Sequence, residues 1–190
     1  MSEKNKFTNS AGRTFPIIGL SPIEIERIRK SSYDKFSAAG RRLTPPTYDA
    51  ITADGTKQTF EHTELTVETD EDRAALADYL KTKDELEIDS NTKLSRAAML
   101  SVDVDPITDS RWVARMKILD IKIPDEEFEK LTLYVETQVL KSVEDIAGLM
   151  TAVLYAGGTV DEEGMAAAES SFRLALADVY KQSAVTGGPA

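Results

Sequence analysis

The chain has one histidine, His62, and it lies among acids: Glu61 and Glu64 flank it, and Glu68, Asp70, Glu71 and Asp72 follow. Several carboxylates around one imidazole form the donor set of a hard divalent cation or a hydrolytic water. The spacing argues against both. Adjacent residues of an extended run leave opposite faces, so Glu61 and His62 diverge. Glu71 and Asp72 stand where a helix should begin, and the positive end of its dipole already accounts for them. Solvated acids on a hairpin and a helix start are therefore expected, with His62 in a structural role. Asp103 and Asp105 in "VDVDP" open like a calcium loop, but the required glycine and terminal glutamate do not follow; Asp109 and Ser110 stand there instead. Glu126/Glu127 and Glu162/Glu163 are neighbours on helix starts and point apart, which does not suit glycosidic chemistry. Serines and aspartates exist for a triad with His62, yet no G-x-S-x-G elbow, P-loop or G-x-G-x-x-G loop accompanies them. With no cysteine, thiolate metal sites, disulfides and a cysteine nucleophile are excluded. The reading is a protein without catalytic residues, metal site or cofactor.

The elements that would carry these residues follow from composition and pattern. At 190 residues, 41% hydrophobic and 29% charged, the chain can bury a core and should fold. Its net charge of −10 opposes sequence-independent nucleic-acid binding, which relies on Lys and Arg neutralising phosphates. The start "MSEKNKFTNSAGRTF" has no apolar core of a signal peptide, and no window spans a bilayer, so cytoplasmic synthesis and no membrane contact are expected.

Residues 1 to about 12 read as a frayed terminus. "RTFPIIGLSP" then places Phe15, Ile17, Ile18 and Leu20 on an extended apolar arm, because Pro16 and Pro22 keep their predecessors out of the helical region. Such an arm suits docking onto a neighbour, so these four residues are the expected partner-binding set. Ser21, Pro22 and Glu24 form an N-cap, first-turn proline and capping acid, and Gly40 supplies a C-cap. Asp54-Gly55 between β-prone runs predicts a type I′ hairpin in which Ile51 pairs with Gln58 and Asp49 with Phe60, putting Ile51, Phe60 and His62 on one face. From Thr69 and Asp70 a single helix of roughly thirty residues is expected, well beyond the average of about 11–12. A short helix around Trp112 and Met116, a proline-started helix from Pro124, a capping box at Ser142/Asp145 and a Gly157-Gly158 stop follow. A last helix from Thr159 carries Met165, Ala168, Phe172, Leu176, Val179 and Tyr180.

The expected fold is α+β and predominantly α-helical: an N-terminal arm, one β-hairpin, one long helix and a C-terminal helical bundle. The expected boundaries are a flexible N-terminus and arm over 1–20, one mostly helical domain over 21–181 with its hairpin at about 46–64, and a flexible tail over 182–190.

The segments "RTFPIIGLSPIEIERIR", "PPTYDAITADGTKQTFEHTELTVETDEDRAALADY", "LDIKIPDE", "LTLYVETQVLKSVEDIAGLMTAV" and "AAAESSFRLAL", in this order, resemble the tail assembly chaperones of siphophages and prophages. The resemblance runs from about Arg13 to about Leu176, and its motifs are structural. It implies a non-enzymatic protein of the host cytoplasm, absent from the virion. Such a protein binds the tape measure protein, keeps its apolar helices soluble and hands it to polymerising tail tube protein. Self-association is compatible with this role. No tape-measure-binding residue carries over by motif. A virion component of the neck, tail tube or baseplate is the alternative, with the arm locked onto a neighbouring subunit.

Overall fold

Ser21, Pro22 and Glu24 start the first helix as their order dictates. The Glu24 carboxylate accepts from the Ser21 amide at 2.8 Å and its hydroxyl at 2.7 Å, and α1 runs Pro22–Ala38. Gly40, at φ 68°, ends it. The Arg41 amide reaches back to the Phe36 carbonyl and the Gly40 amide to that of Ser37, the paired bonds of a Schellman cap. This computed structural model describes residues 5–106 and 108–174. The remaining elements are β1 (Lys6–Thr8), β2 (Thr14–Pro16), β3 (Thr47–Ile51), β4 (Lys57–Glu61), α2 (Asp70–Leu100), α3 (Ser110–Ile118), α4 (Glu127–Tyr134), a π-helical turn (Val135–Val139), α5 (Val143–Ala156) and a helical stretch, α6, over 165–174. The fold is α+β and mostly helical, with two small antiparallel sheets. Leu176, Val179, Tyr180 and the tail over 182–190 lie outside the described residues.

Two compact units divide the chain, Met1–Arg27 with Asn91–Ala190, and Ile28–Ser90. The domain expected over 21–181 is thus apportioned between them, and the first twenty residues belong to the larger unit.

In that larger unit the N-terminus is a hairpin rather than a frayed end. β1 and β2 pair antiparallel with Phe7 opposite Phe15, and both rings are buried. Asn9 makes the turn: its Oδ1 accepts from the Ala11 amide at 3.1 Å and the Arg13 amide at 2.9 Å, and Gly12 takes φ 74°. Its Nδ2 donates to the Val139 carbonyl at 2.6 Å, tying the turn to a segment 130 residues away. Phe7, Phe15, Ile17, Trp112, Met116, Val135, Val139, Leu149, Met150 and Val153 form the core. Trp112 donates from Nε1 to the Thr137 hydroxyl at 2.9 Å and meets Tyr134 edge-on at 5.1 Å. α3 is capped by Asp109, which accepts from the Trp112 amide and the Tyr134 hydroxyl; both bonds hold its carboxyl below the ordinary range. The helix expected from Pro124 begins instead at Glu127, because Glu126 keeps an extended backbone with ψ 128°. α5 has its capping box at Ser142/Asp145 and a second Schellman cap with Gly158 at φ 75°.

α2, one unbroken helix of 31 residues through Asp89-Ser90-Asn91, starts in the smaller unit and ends in the larger one. Its start is capped by Thr69, whose hydroxyl accepts from the Asp72 amide and donates to the Asp72 carboxylate. Phe36 and Leu76 are the smaller unit's buried apolar residues. Arg41 pairs with Glu85 at 2.8 Å and Lys35 with Asp89. The β3–β4 hairpin is one residue out of the expected register: Asp49 faces Thr59, Tyr48 faces Phe60, and Ile51 faces Lys57. A type I′ turn needs positive φ at both Asp54 and Gly55, and only Gly55 has it, at 82°. The Thr52 carbonyl accepts from the Gly55 amide, and Asp54 accepts from the Thr52 hydroxyl and the Thr56 amide. The loop is thus three residues long, the length of a type I turn with a glycine bulge. Ile51 leaves the His62 face and is 77% exposed, and Tyr48 takes its place.

Candidate functional site

His62 is buried, its ring 4.7 Å from that of Tyr48, with Nε2 3.9 Å from the Asp72 carboxylate and Nδ1 unpartnered. Glu61, on the opposite face, is exposed, and Asp72 is engaged by the Thr69 cap. Among the described residues no three His, Asp or Glu side chains converge as a metal site would require. Asp109 caps α3, Asp145 caps α5, and the Ser142 hydroxyl accepts from the Asp145 amide at 3.3 Å. These groups hold backbone ends.

The arm requires a correction. Phe15, Ile17 and Leu20 are buried within their own unit, and only Ile18, at 68% exposure, faces solvent. The backbone is committed too. Ile17 bridges to Val102, the Ile18 amide donates to the Ser101 carbonyl at 2.8 Å, and the Leu20 amide donates to Val153 at 3.2 Å. The chain itself covers Phe15, Ile17 and Leu20 and bonds the arm's amides, which leaves the Ile18 side chain as the part of the strip presented to solvent.

What the larger unit does present is a cleft of about 500 Å³. Met99 of α2, Leu140 and the α5 residues Val143 and Ile146 give it an apolar lining; Glu136 and Lys141 give it one charge of each sign. Its size falls within the range of small-molecule pockets, about 300–1,000 Å³. One wall depends on the π-helical turn, closed where the Leu140 amide bonds the Val135 carbonyl at 2.9 Å. π-Turns arise where one extra residue is accommodated in a helix and are frequent at functional sites. Here Val135 and Val139 are fully buried while Glu136, between them, reaches the cleft. Burial pushes the Glu136 carboxyl above its ordinary range, against the opposing pull of Arg96. Ser142 completes the lining; its hydroxyl accepts from the Asp145 amide, so the cleft combines apolar, hydroxyl and charged groups. In the "LTLYVETQVL" run the one local hint of this turn is Thr137, whose hydroxyl bonds back to the Leu133 carbonyl.

The raised Glu136 carboxyl gives a pH test. The folded state holds this proton more tightly than the unfolded one, so ionising it lowers stability; the penalty is absent below pH about 4.5 and grows as pH rises through the folded value. Glu136→Gln is therefore expected to raise Tm at pH 7 by about 1–2 °C, the carboxyl being only partly buried, and to leave it unchanged near pH 4. Thermal melts at the two pH values check this.

Among the described residues no helix is long and apolar enough to cross a membrane. No family model, no curated protein and no solved structure matches the chain.

Proposed function

We propose that the protein is a non-enzymatic phage tail assembly chaperone acting in the host cytoplasm. It holds apolar helices of the tape measure protein and supports their delivery to the tail tube protein. The observation that carries this reading is the cleft lined by Met99, Leu140, Val143 and Ile146, which suits the apolar stripe of an amphipathic helix. Glu136 and Lys141 can orient a helix of mixed charge along it. Further support comes from the resemblance of segment order and from the acids, whose geometry is that of caps.

Co-expression with the long helical tape measure protein tests it: the partner should become soluble and co-purify. Val143→Glu should then abolish co-purification. Val143 is 43% exposed in the first turn of α5, where an acid suits the dipole, so the change puts charge into the cleft while sparing the fold. Absence of rescue and of a complex, or this protein in fixed copy number in purified virions, would overturn the reading.

A further inference from the structure

The β3–β4 sheet has two strands among the described residues, so each strand has an unpaired edge. We infer that β4 is a self-pairing edge: two copies of this chain join antiparallel through Lys57–Glu61, on a two-fold axis at Thr59, into a four-stranded sheet.

The ladder fixes which backbone groups are free. The His62 amide donates to the Pro46 carbonyl at 2.8 Å and the Thr52 amide to the Thr56 carbonyl at 2.9 Å. Hydrogen-bonded pairs alternate along an antiparallel ladder, so Tyr48/Phe60 and Ala50/Gln58 are also of the bonded kind. The N–H and C=O groups of Lys57, Thr59 and Glu61 therefore point outward. A second antiparallel strand must bond these three residues. When Thr59 faces its own symmetry mate, Lys57 faces Glu61 of the second copy, and Glu61 its Lys57.

Charge selects this edge and this register. Opposite charges directly across a ladder stabilise it and like charges oppose it. The β4 register brings two Lys–Glu pairs together. The equivalent pairing of β3 would set Asp49 against Asp49, which is repulsive. Pairing β3 of one copy with β4 of the next would not close and would propagate as a filament. All five residues of β4 are exposed, and the half-exposed Phe60 ring, 5.8 Å from Tyr48, would reach its symmetry mate diagonally across the new seam. A charged side chain on a short edge strand ordinarily blocks association. Here the same lysine repels wrong partners and matches one, a strand of its own sequence. So short a seam gives a weak dimer at the small end of interface sizes.

The chain lacks cysteine, which makes the test direct. In the full chain, Thr59→Cys should oxidise to a disulfide-linked dimer, because a bonded antiparallel pair sets its Cα atoms about 5.5 Å apart, within disulfide reach. Ile51→Cys should not, since two symmetry-related β3 strands lie three strand spacings apart, about 14 Å. Sedimentation of wild-type protein should show a concentration-dependent monomer–dimer equilibrium. Glu61→Lys should weaken it at least about fivefold, setting lysine against lysine across the seam while the Lys57–Asp49 pair within each copy stays intact. Thr59→Pro, which removes the outward amide and, with it, the exposed Thr59 hydroxyl's bond to Asp49 at 2.8 Å but no ladder bond, should abolish dimers while circular dichroism shows the fold intact. Wild-type protein monomeric at every concentration, equal cross-linking at positions 59 and 51, or a dimer indifferent to Thr59→Pro would overturn the inference.

Discussion

Gly19→Ala is expected to destabilise the larger unit by about 4 kcal/mol or more, with Gly157→Ala doing the same. A Cβ on Gly19 would overlap the backbone of Ala156 and Gly157, and one on Gly157 would overlap the backbone of Leu20. Nothing in this contact is the movable end of a side chain: two main chains cross with only hydrogens between them. The crossing is pinned on both sides, by the Leu20 amide on the Val153 carbonyl at 3.2 Å and the Thr159 hydroxyl on the Leu20 carbonyl at 3.4 Å. Admitting a methyl group means parting the segments and losing both bonds. Because either substitution opens the same gap, the double variant should cost little more than each alone. Gly158→Ala is the comparison. It has open space around it and suffers only from φ 75°, a penalty of about 1 kcal/mol. Urea denaturation of the four variants checks the order, and an additive double variant would contradict a shared crossing.

Asp145→Ala is the second large effect, about 3 kcal/mol. Oδ1 of this buried carboxylate accepts from the Ser10 amide at 2.7 Å, and Oδ2 accepts from the Lys141 amide at 2.6 Å, the Ser142 amide at 3.2 Å and the Ser10 hydroxyl at 3.1 Å. It thus caps α5 and fastens the β1–β2 turn with one side chain. Alanine strips three backbone donors of their acceptor at once, and each stranded donor costs about 1–3 kcal/mol where water cannot replace it. Asp145→Asn should cost about half as much. Its amide oxygen can serve the three donors on the Oδ2 side, while its nitrogen faces the Ser10 amide, donor against donor. The local signature is loss of protection at the β1–β2 amides in hydrogen exchange, larger for alanine than for asparagine. Equal protection in both variants would show that the turn is held by Asn9 alone.

What could be read from the chain sorts by the range of the interaction. Both capping boxes, the unbroken α2 and the Gly40 and Gly157-Gly158 stops depend on residues within a few positions of one another, and they stand where their spacing puts them. The β3–β4 hairpin was legible in place but not in register, because Asp54-Gly55 serves a two-residue turn or a three-residue one, and the Thr52 and Thr56 bonds to Asp54 select the latter. The N-terminal hairpin was illegible because "KFTNSAGRTF" is polar and short, and what orders it, Val139 and Asp145, lies far along the chain. For the same reason the arm seemed to want a partner. The cleft depends on one extra residue in a helical turn, which apolar periodicity does not register.

The wiring of the N-terminus also sets a clock. Ser10 waits for Asp145, 135 residues later, and Leu20 for Val153. At a synthesis rate of about 5–20 residues per second, Phe7 and Ser10 emerge roughly 7–27 s before the α5 segment that meets them. The first strands made are the last to lock, and through that interval the nascent chain carries an uncovered apolar end of its own.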